Sequence, residues 1–218
     1  MAEPGGDARV TGREASGQPP LLELVGVMRR LRVECPWKAG QTHESLTRYL
    51  LEETYEVIEA IESGDAAHLR EELGDLLLQV FFHAAIAAED GEYDVQDVAA
   101  DLIEKLVRRN PHVFGPSTGS GTGVDPAPEL DAAQVNDAWE AIKAREKQRT
   151  SVTDGIPEEL PALLRAVKVL ERLERAGLPA PVPATGDLGD RLLTLAMEAH
   201  AQGVDPEQVL RAAVRRLT

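Results

Sequence analysis

LEETYEVIEAIESGDAAHLREELGDLLLQVFFHAAIAAE, residues 51–89, decides the fold. Apolar residues recur at helical spacing through its first half. Ser63-Gly64-Asp65 reads as a helix stop followed by an N-cap, and the second half resumes the helical repeat. A break this short makes the two helices antiparallel neighbours. From Glu52 to Asp75 nine acidic side chains stand against one basic, Arg70. Helical geometry sorts these carboxylates by the side they face.

An α-helix advances about 100° per residue. On the helix predicted over 43–62, Leu50, Thr54, Val57, Ile58 and Ile61 form the expected apolar stripe. Glu53 and Glu56, about 60° apart, lie along one margin of it, whereas Glu52 and Glu59 point more nearly away. On the next helix Glu72 and Asp75 share a face. Leu76, Leu77, Leu78, Val80, Phe81, Phe82 and Ile86 leave that helix apolar nearly all round, which predicts burial on several sides and carries Asp75 into or beside the core. A buried carboxylate is costly unless paired or metal-bound, and no lysine or arginine lies between Glu72 and Glu104. Glu53, Glu56, Glu72 and Asp75 are therefore expected to converge on one pocket. Their repulsion favours Mg²⁺, with Mn²⁺ as a substitute, because the donors are hard oxygens and neither cysteine nor histidine is needed.

The rest of the chain follows the same period. Helices are predicted near 21–33, 95–109, 129–148, 158–176, 187–202 and 206–217, in addition to 43–62 and 66–89. No segment alternates in the manner of a strand, so the fold class is all-α, a helical bundle. Residues 1–20 read as a disordered polar tail, PSTGSGTGVDPAP at 116–128 as a flexible linker, and LPAPVPATG at 178–186 as a second break. EELGDLLLQV at 71–80 is echoed by GDLGDRLLTL at 186–195, and DVQDVAADLIEKL at 94–106 by DPEQVLRAAVRRL at 205–217. The second copy keeps Asp187 and Asp190 but lacks the preceding glutamates. It reads as a shortened, degenerate repeat that has kept packing and lost chemistry.

With 218 residues and 43% hydrophobic composition the chain can build one or two small cores. A net charge of −15 argues against nucleic acid as a partner, yet it allows a small polyphosphate bridged by a divalent cation. No apolar stretch reaches the ~18–20 residues needed to cross a bilayer. With no apolar leader at the N-terminus and a single cysteine, Cys35, these features predict a cytoplasmic protein with no membrane association and no intrachain disulfide.

EETYE at 52–56 followed by EELGD at 71–75 resembles the EExxE…ExxD signature of the MazG family of nucleoside triphosphate pyrophosphohydrolases. CPW at 35–37, QTHESL at 41–46, ELGDLLLQVFFHA at 72–84, KLVRRNPHVFG at 105–115, WEAIK at 139–143 and DGIPEELPALLRA at 154–166 are similar to family segments in the same order. Lys38 departs from the Asp that usually follows CPW, and the second acidic core is missing.

The resemblance implies a MazG-type bundle with a catalytic domain over 21–150 and a connecting helix plus degenerate repeat over 151–218. It implies hydrolysis of a nucleoside triphosphate, ribo or deoxy, to the monophosphate and pyrophosphate, in nucleotide-pool control or house-cleaning. It makes Glu53, Glu56, Glu72 and Asp75 the magnesium ligands, and Lys105, Arg109, Trp139 and Lys143 substrate contacts. Lys105 and Arg109, four apart on one helical face, can neutralise phosphates, and Trp139 and Lys143 repeat that spacing with a flat ring beside a cation. Glu52 or a metal-bound carboxylate would orient the attacking water. A homodimer is also implied. His83 and His112 read as structural. A di-iron carboxylate bundle would require Glu-x-x-His pairs, which are absent. A non-catalytic helical interaction module and an enzyme restricted to dUTP or dCTP stand as alternatives.

Overall fold

A computed structural model of the chain describes residues 18–115, 131–147, 150–180 and 185–217. Those residues form helices and connecting turns, with no strand among them, so the all-α expectation is met. The chain divides into two compact units, one up to Pro116 and one from Ser117. Most of the 1–20 tail, the linker at 116–128 and residues 181–184 of the second break lie outside the described residues.

The first unit holds α1 (Pro20–Glu34), α2 (Pro36–Ala39), α3 (His43–Ser63), α4 (Ala66–Glu89), α5 (Val95–Arg109) and α6 (Pro111–Phe114). The short helices α2 and α6 are additions to the sequence-based assignment, each beginning on a proline whose fixed φ suits a first turn. Local chemistry sets the boundaries of the central hairpin. Thr42 and Ser45 cap the start of α3 reciprocally. The left-handed turn that ends α3 needs Gly64, at φ 72°. Asp65 then caps α4 by accepting from the backbone N–H groups of Ala67 (2.8 Å) and His68 (3.2 Å).

Met28, Leu46, Phe81, Phe82 and Ile86 form the buried core, with Leu24, Val25, Leu31, Tyr49, Leu77 and Leu78 packed around it. α3, α1 and α5 all pack on α4. The burial of α4 is less complete than its composition predicts, since Leu73 and Val80 are 49% and 41% exposed. The stripe on α3 also differs from expectation. Leu46, Val57 and Ala60 are buried, whereas Leu50, Thr54 and Ile61 are exposed. The buried seam runs 46, 53, 57, 60, so Glu53 is carried along its centre and not along its margin.

The loop between α1 and α3 is fixed by one buried cation. Arg32 is 9% exposed, donates to both carboxylate oxygens of Glu89 (2.7 and 2.6 Å), and reaches the carbonyls of Lys38 and Gln41 with its remaining Nη. The Lys38 ammonium lies 5.4 Å from the Trp37 ring centroid and 5.3 Å from that of Phe82. The Lys38 side chain thus packs on aromatic faces.

The second unit holds α7 (Ala132–Glu146), α8 (Ala162–Arg175), α9 (Leu188–Ala201) and α10 (Pro206–Arg215). α8 begins at Ala162 and not near 158, because Pro161 disfavours the helical region for Leu160. α8, α9 and α10 pack on one another, and Arg172 pins the turn before α8 by donating to the carbonyls of Val152 (2.8 Å) and Asp154 (2.7 Å).

Candidate active site

The α3–α4 hairpin brings the predicted carboxylates together. One oxygen from each of Glu53, Glu56 and Glu72 lies within 4.8 Å of the others. Glu53 and Glu72 are half-buried and Glu56 is exposed. Asp75 is half-buried on the same face of α4 and lies outside that triangle, yet its charge acts on Glu53. Burial first, then the charges of Asp75 and Glu56, a hydrogen bond with Glu56 and the charge of Glu72 hold the Glu53 carboxyl above the ordinary carboxylate range. Without a cation, the site therefore favours a proton on Glu53.

The donors fit a hard divalent cation. Glu53, Glu56 and Glu72 would hold such a cation, with Asp75 beside them, and it would supply charge neutralisation to the crowded carboxylates. Glu52, one residue before the seam position, is exposed.

Two neighbours of the cluster had little sequence signal. His68, one turn before Glu72, brings Nε2 to 3.1 Å from Glu72 Oε1. It escapes a search for lysine and arginine partners, although its i−4 spacing from Glu72 could have revealed it. Gln79, one turn after Asp75, is 4% exposed. Further along, His83 Nδ1 lies 2.7 Å from His43 Nδ1 with the rings nearly parallel. This hydrogen bond to half-buried His83 agrees with the structural role expected of it, and burial followed by the charge of His43 holds its imidazole below the ordinary value.

Lys105 and Arg109 are half-buried on α5, one turn apart, in the first unit. Trp139 and Lys143 are half-buried on α7 in the second. Lys143 Nζ donates to Glu140 at 3.0 Å, and Arg175 pairs with the same carboxylate at 3.3 Å. His112, on α6, is exposed. Asp187 caps α9 by accepting from the Asp190 N–H (2.8 Å), and Asp190 Oδ2 accepts from the Thr185 and Gly186 backbones and the Thr185 hydroxyl. Asp187 and Asp190 are thus both engaged in local structure.

Residues 41–114, which contain the whole carboxylate cluster with Lys105 and Arg109, match the model of the MazG nucleotide pyrophosphohydrolase domain. A nucleoside triphosphate pyrophosphohydrolase/pyrophosphatase MazG from Thermotoga maritima is 37% identical over 220 residues, 89% of this chain and 81% of the relative. This chain belongs to the MazG family. A further MazG relative, a nucleoside triphosphate pyrophosphohydrolase of Mycobacterium tuberculosis, is 44% identical over 196 residues, 89% of this chain. The match spans only 54% of that protein's length. An uncharacterized 26.1 kDa protein from Streptomyces cacaoi is 48% identical over 197 residues, 88% of this chain and 77% of its own length.

Proposed function

We propose that this MazG protein hydrolyses nucleoside triphosphates, ribo or deoxy, to the monophosphate and pyrophosphate in a Mg²⁺-dependent reaction that controls or cleans the nucleotide pool. The observation that carries this is the state of Glu53. A half-buried carboxyl crowded by Asp75, Glu56 and Glu72, against a helix with no lysine or arginine from Glu72 to its end at Glu89, is costly to the fold unless a cation completes it. The names of the family relatives support the same chemistry.

Glu53, Glu56, Glu72 and Asp75 would hold the cation. When bound, it supplies charge neutralisation and Lewis acidity toward phosphate oxygens. Lys105 and Arg109 neutralise charge developing on the leaving pyrophosphate. Glu52, exposed beside the seam, accepts a proton from the attacking water. Trp139 and Lys143 are assigned as substrate contacts on the resemblance of the WEAIK segment. The catalytic domain is taken as 21–150 and the connecting helix with the degenerate repeat as 151–218, with the protein acting as a cytoplasmic homodimer. The exposed apolar side chains of α4 and α5, among them Val80, Leu102 and Ile103, favour such pairing. Among the described residues no helix is long and apolar enough to cross a membrane.

The deciding experiment incubates the protein with Mg²⁺ and a panel of canonical and oxidised (d)NTPs in ¹⁸O-labelled water. Monophosphate and pyrophosphate are expected as first products, with the label in one of them. Nucleoside diphosphate and orthophosphate as first products would overturn the assignment.

A further inference from the structure

His68 stands in the first turn of α4, where the cap fixes its backbone: Asp65 Oδ1 accepts from the His68 N–H at 3.2 Å. Glu72 lies one turn further on, on the same side of the helix. His68 Nε2 reaches Glu72 Oε1 at 3.1 Å. The side chains are 38% and 12% exposed, so the imidazole stands at the edge of the site and the carboxylate within it. Glu72 shares its triangle with Glu53 and Glu56, and His68 is not one of that group. The ring nitrogen thus touches a candidate ligand from outside the triangle.

A carboxylate turns about its last bond and presents either oxygen in several directions. A metal needs one of them at a fixed place, and the ordering costs free energy when the cation binds. A hydrogen bond to the carboxylate removes that freedom in advance. Local lysine and arginine cannot supply it. None lies between Glu72 and Glu104, and exposed Arg70, two residues before Glu72, points about 200° away round the helix.

We propose that His68 is a positioning residue of the cation site: its Nε2–H donates to Glu72 Oε1 and holds that carboxylate in one orientation toward Glu53 and Glu56. This rests on the reading of Glu53, Glu56, Glu72 and Asp75 as cation ligands. The site then meets the ion with one corner already ordered, and His68 raises metal affinity without contacting metal or substrate.

The test measures binding of Mn²⁺ alone to the full chain, from the electron paramagnetic resonance of the free ion, in wild type, His68→Phe, His68→Ala and His68→Gln. Gln returns an N–H donor at a reach similar to that of Nε2, and Phe and Ala do not. Phe and Ala differ in bulk, so a folding defect in one leaves the other to decide, and melting in chelator shows which variants are folded. Loss of the hydrogen-bond partner of a metal ligand typically weakens binding about 10- to 100-fold. His68→Phe and His68→Ala are therefore expected to bind Mn²⁺ about tenfold or more weakly than wild type, and His68→Gln to stay close to it. In turnover, the half-saturating Mg²⁺ concentration of the two donor-less variants should rise by the same factor, with kcat at saturating Mg²⁺ unchanged. Wild-type Mn²⁺ affinity in folded His68→Phe or His68→Ala would overturn the proposal and leave an ordinary helical pair. A loss in His68→Gln as large as in His68→Ala would overturn it too, as would a fall in kcat that saturating Mg²⁺ does not restore. A wild type that binds no Mn²⁺ would overturn the cation site itself and this role with it. The binding measurement contains no nucleotide, so its outcome is independent of which phosphate bond the enzyme cleaves.

Discussion

Asp75 on α4 acts across the hairpin on Glu53 of α3, and after burial its charge is the first cause that raises that carboxyl above the ordinary carboxylate range. Two acids are thus held together by the packing of the helices that carry them. Asp75→Ala or Glu53→Ala should abolish Mg²⁺-dependent turnover while the far-ultraviolet circular dichroism remains helical. Metal-free melting of Asp75→Ala should occur no lower than that of wild type, because one source of repulsion is gone. Turnover at the wild-type rate in both variants would remove these residues from the site.

The same pair predicts a pH dependence. Glu53 has its folded pKa above the unfolded value, so its contribution to stability is fully present below the unfolded value and is lost as pH rises through the folded one. In chelator, the melting temperature should decline over that range. Saturating Mg²⁺ should remove the decline, since the cation replaces the proton. Melting curves in chelator and in Mg²⁺ that stay parallel with pH would contradict this.

His83 works in the opposite direction. Its folded pKa lies below the ordinary 6.5, so its contribution is present above that value and is lost as pH falls through the folded one. At a Nδ1–Nδ1 distance of 2.7 Å one ring must accept from the other, which two imidazolium rings cannot do. Wild type should lose melting temperature below pH 6.5, and His83→Phe should lose less over the same interval. Equal acid sensitivity in the two proteins would show that another group controls it.

Asp187 and Asp190 cap and brace the start of α9, and the backbone N–H groups they accept from contribute to holding both below the ordinary carboxylate range. Changing both to Asn should leave kcat/KM at the wild-type level and lower the melting temperature by a few degrees, because the charge favoured at the start of α9 is lost. Loss of turnover with unchanged melting would assign the degenerate repeat a part in the chemistry.

Much of this was legible before any coordinates. Ser63-Gly64-Asp65 forces a helix to stop and another to start, and a three-residue break leaves the second helix no course except back along the first. That alone brings the glutamates of 52–56 opposite Glu72 and Asp75, and the oxygen-only donor set restricts the cation. The sequence also carries the cap at Asp65, since capping depends on side chains within a few residues of the backbone groups they satisfy.

What tertiary structure alone decided is the side from which α4 approaches α3. Hydrophobic spacing marks faces that can be buried, and α3 offered a stripe through Leu50, Thr54 and Ile61. Packing instead selected Leu46, Val57 and Ala60 and so turned Glu53 into the seam. The burial of Gln79 and the pairing of His43 with His83 across 40 positions of sequence are likewise visible only in the folded chain. They are properties of two helices in contact, and neither helix encodes them alone.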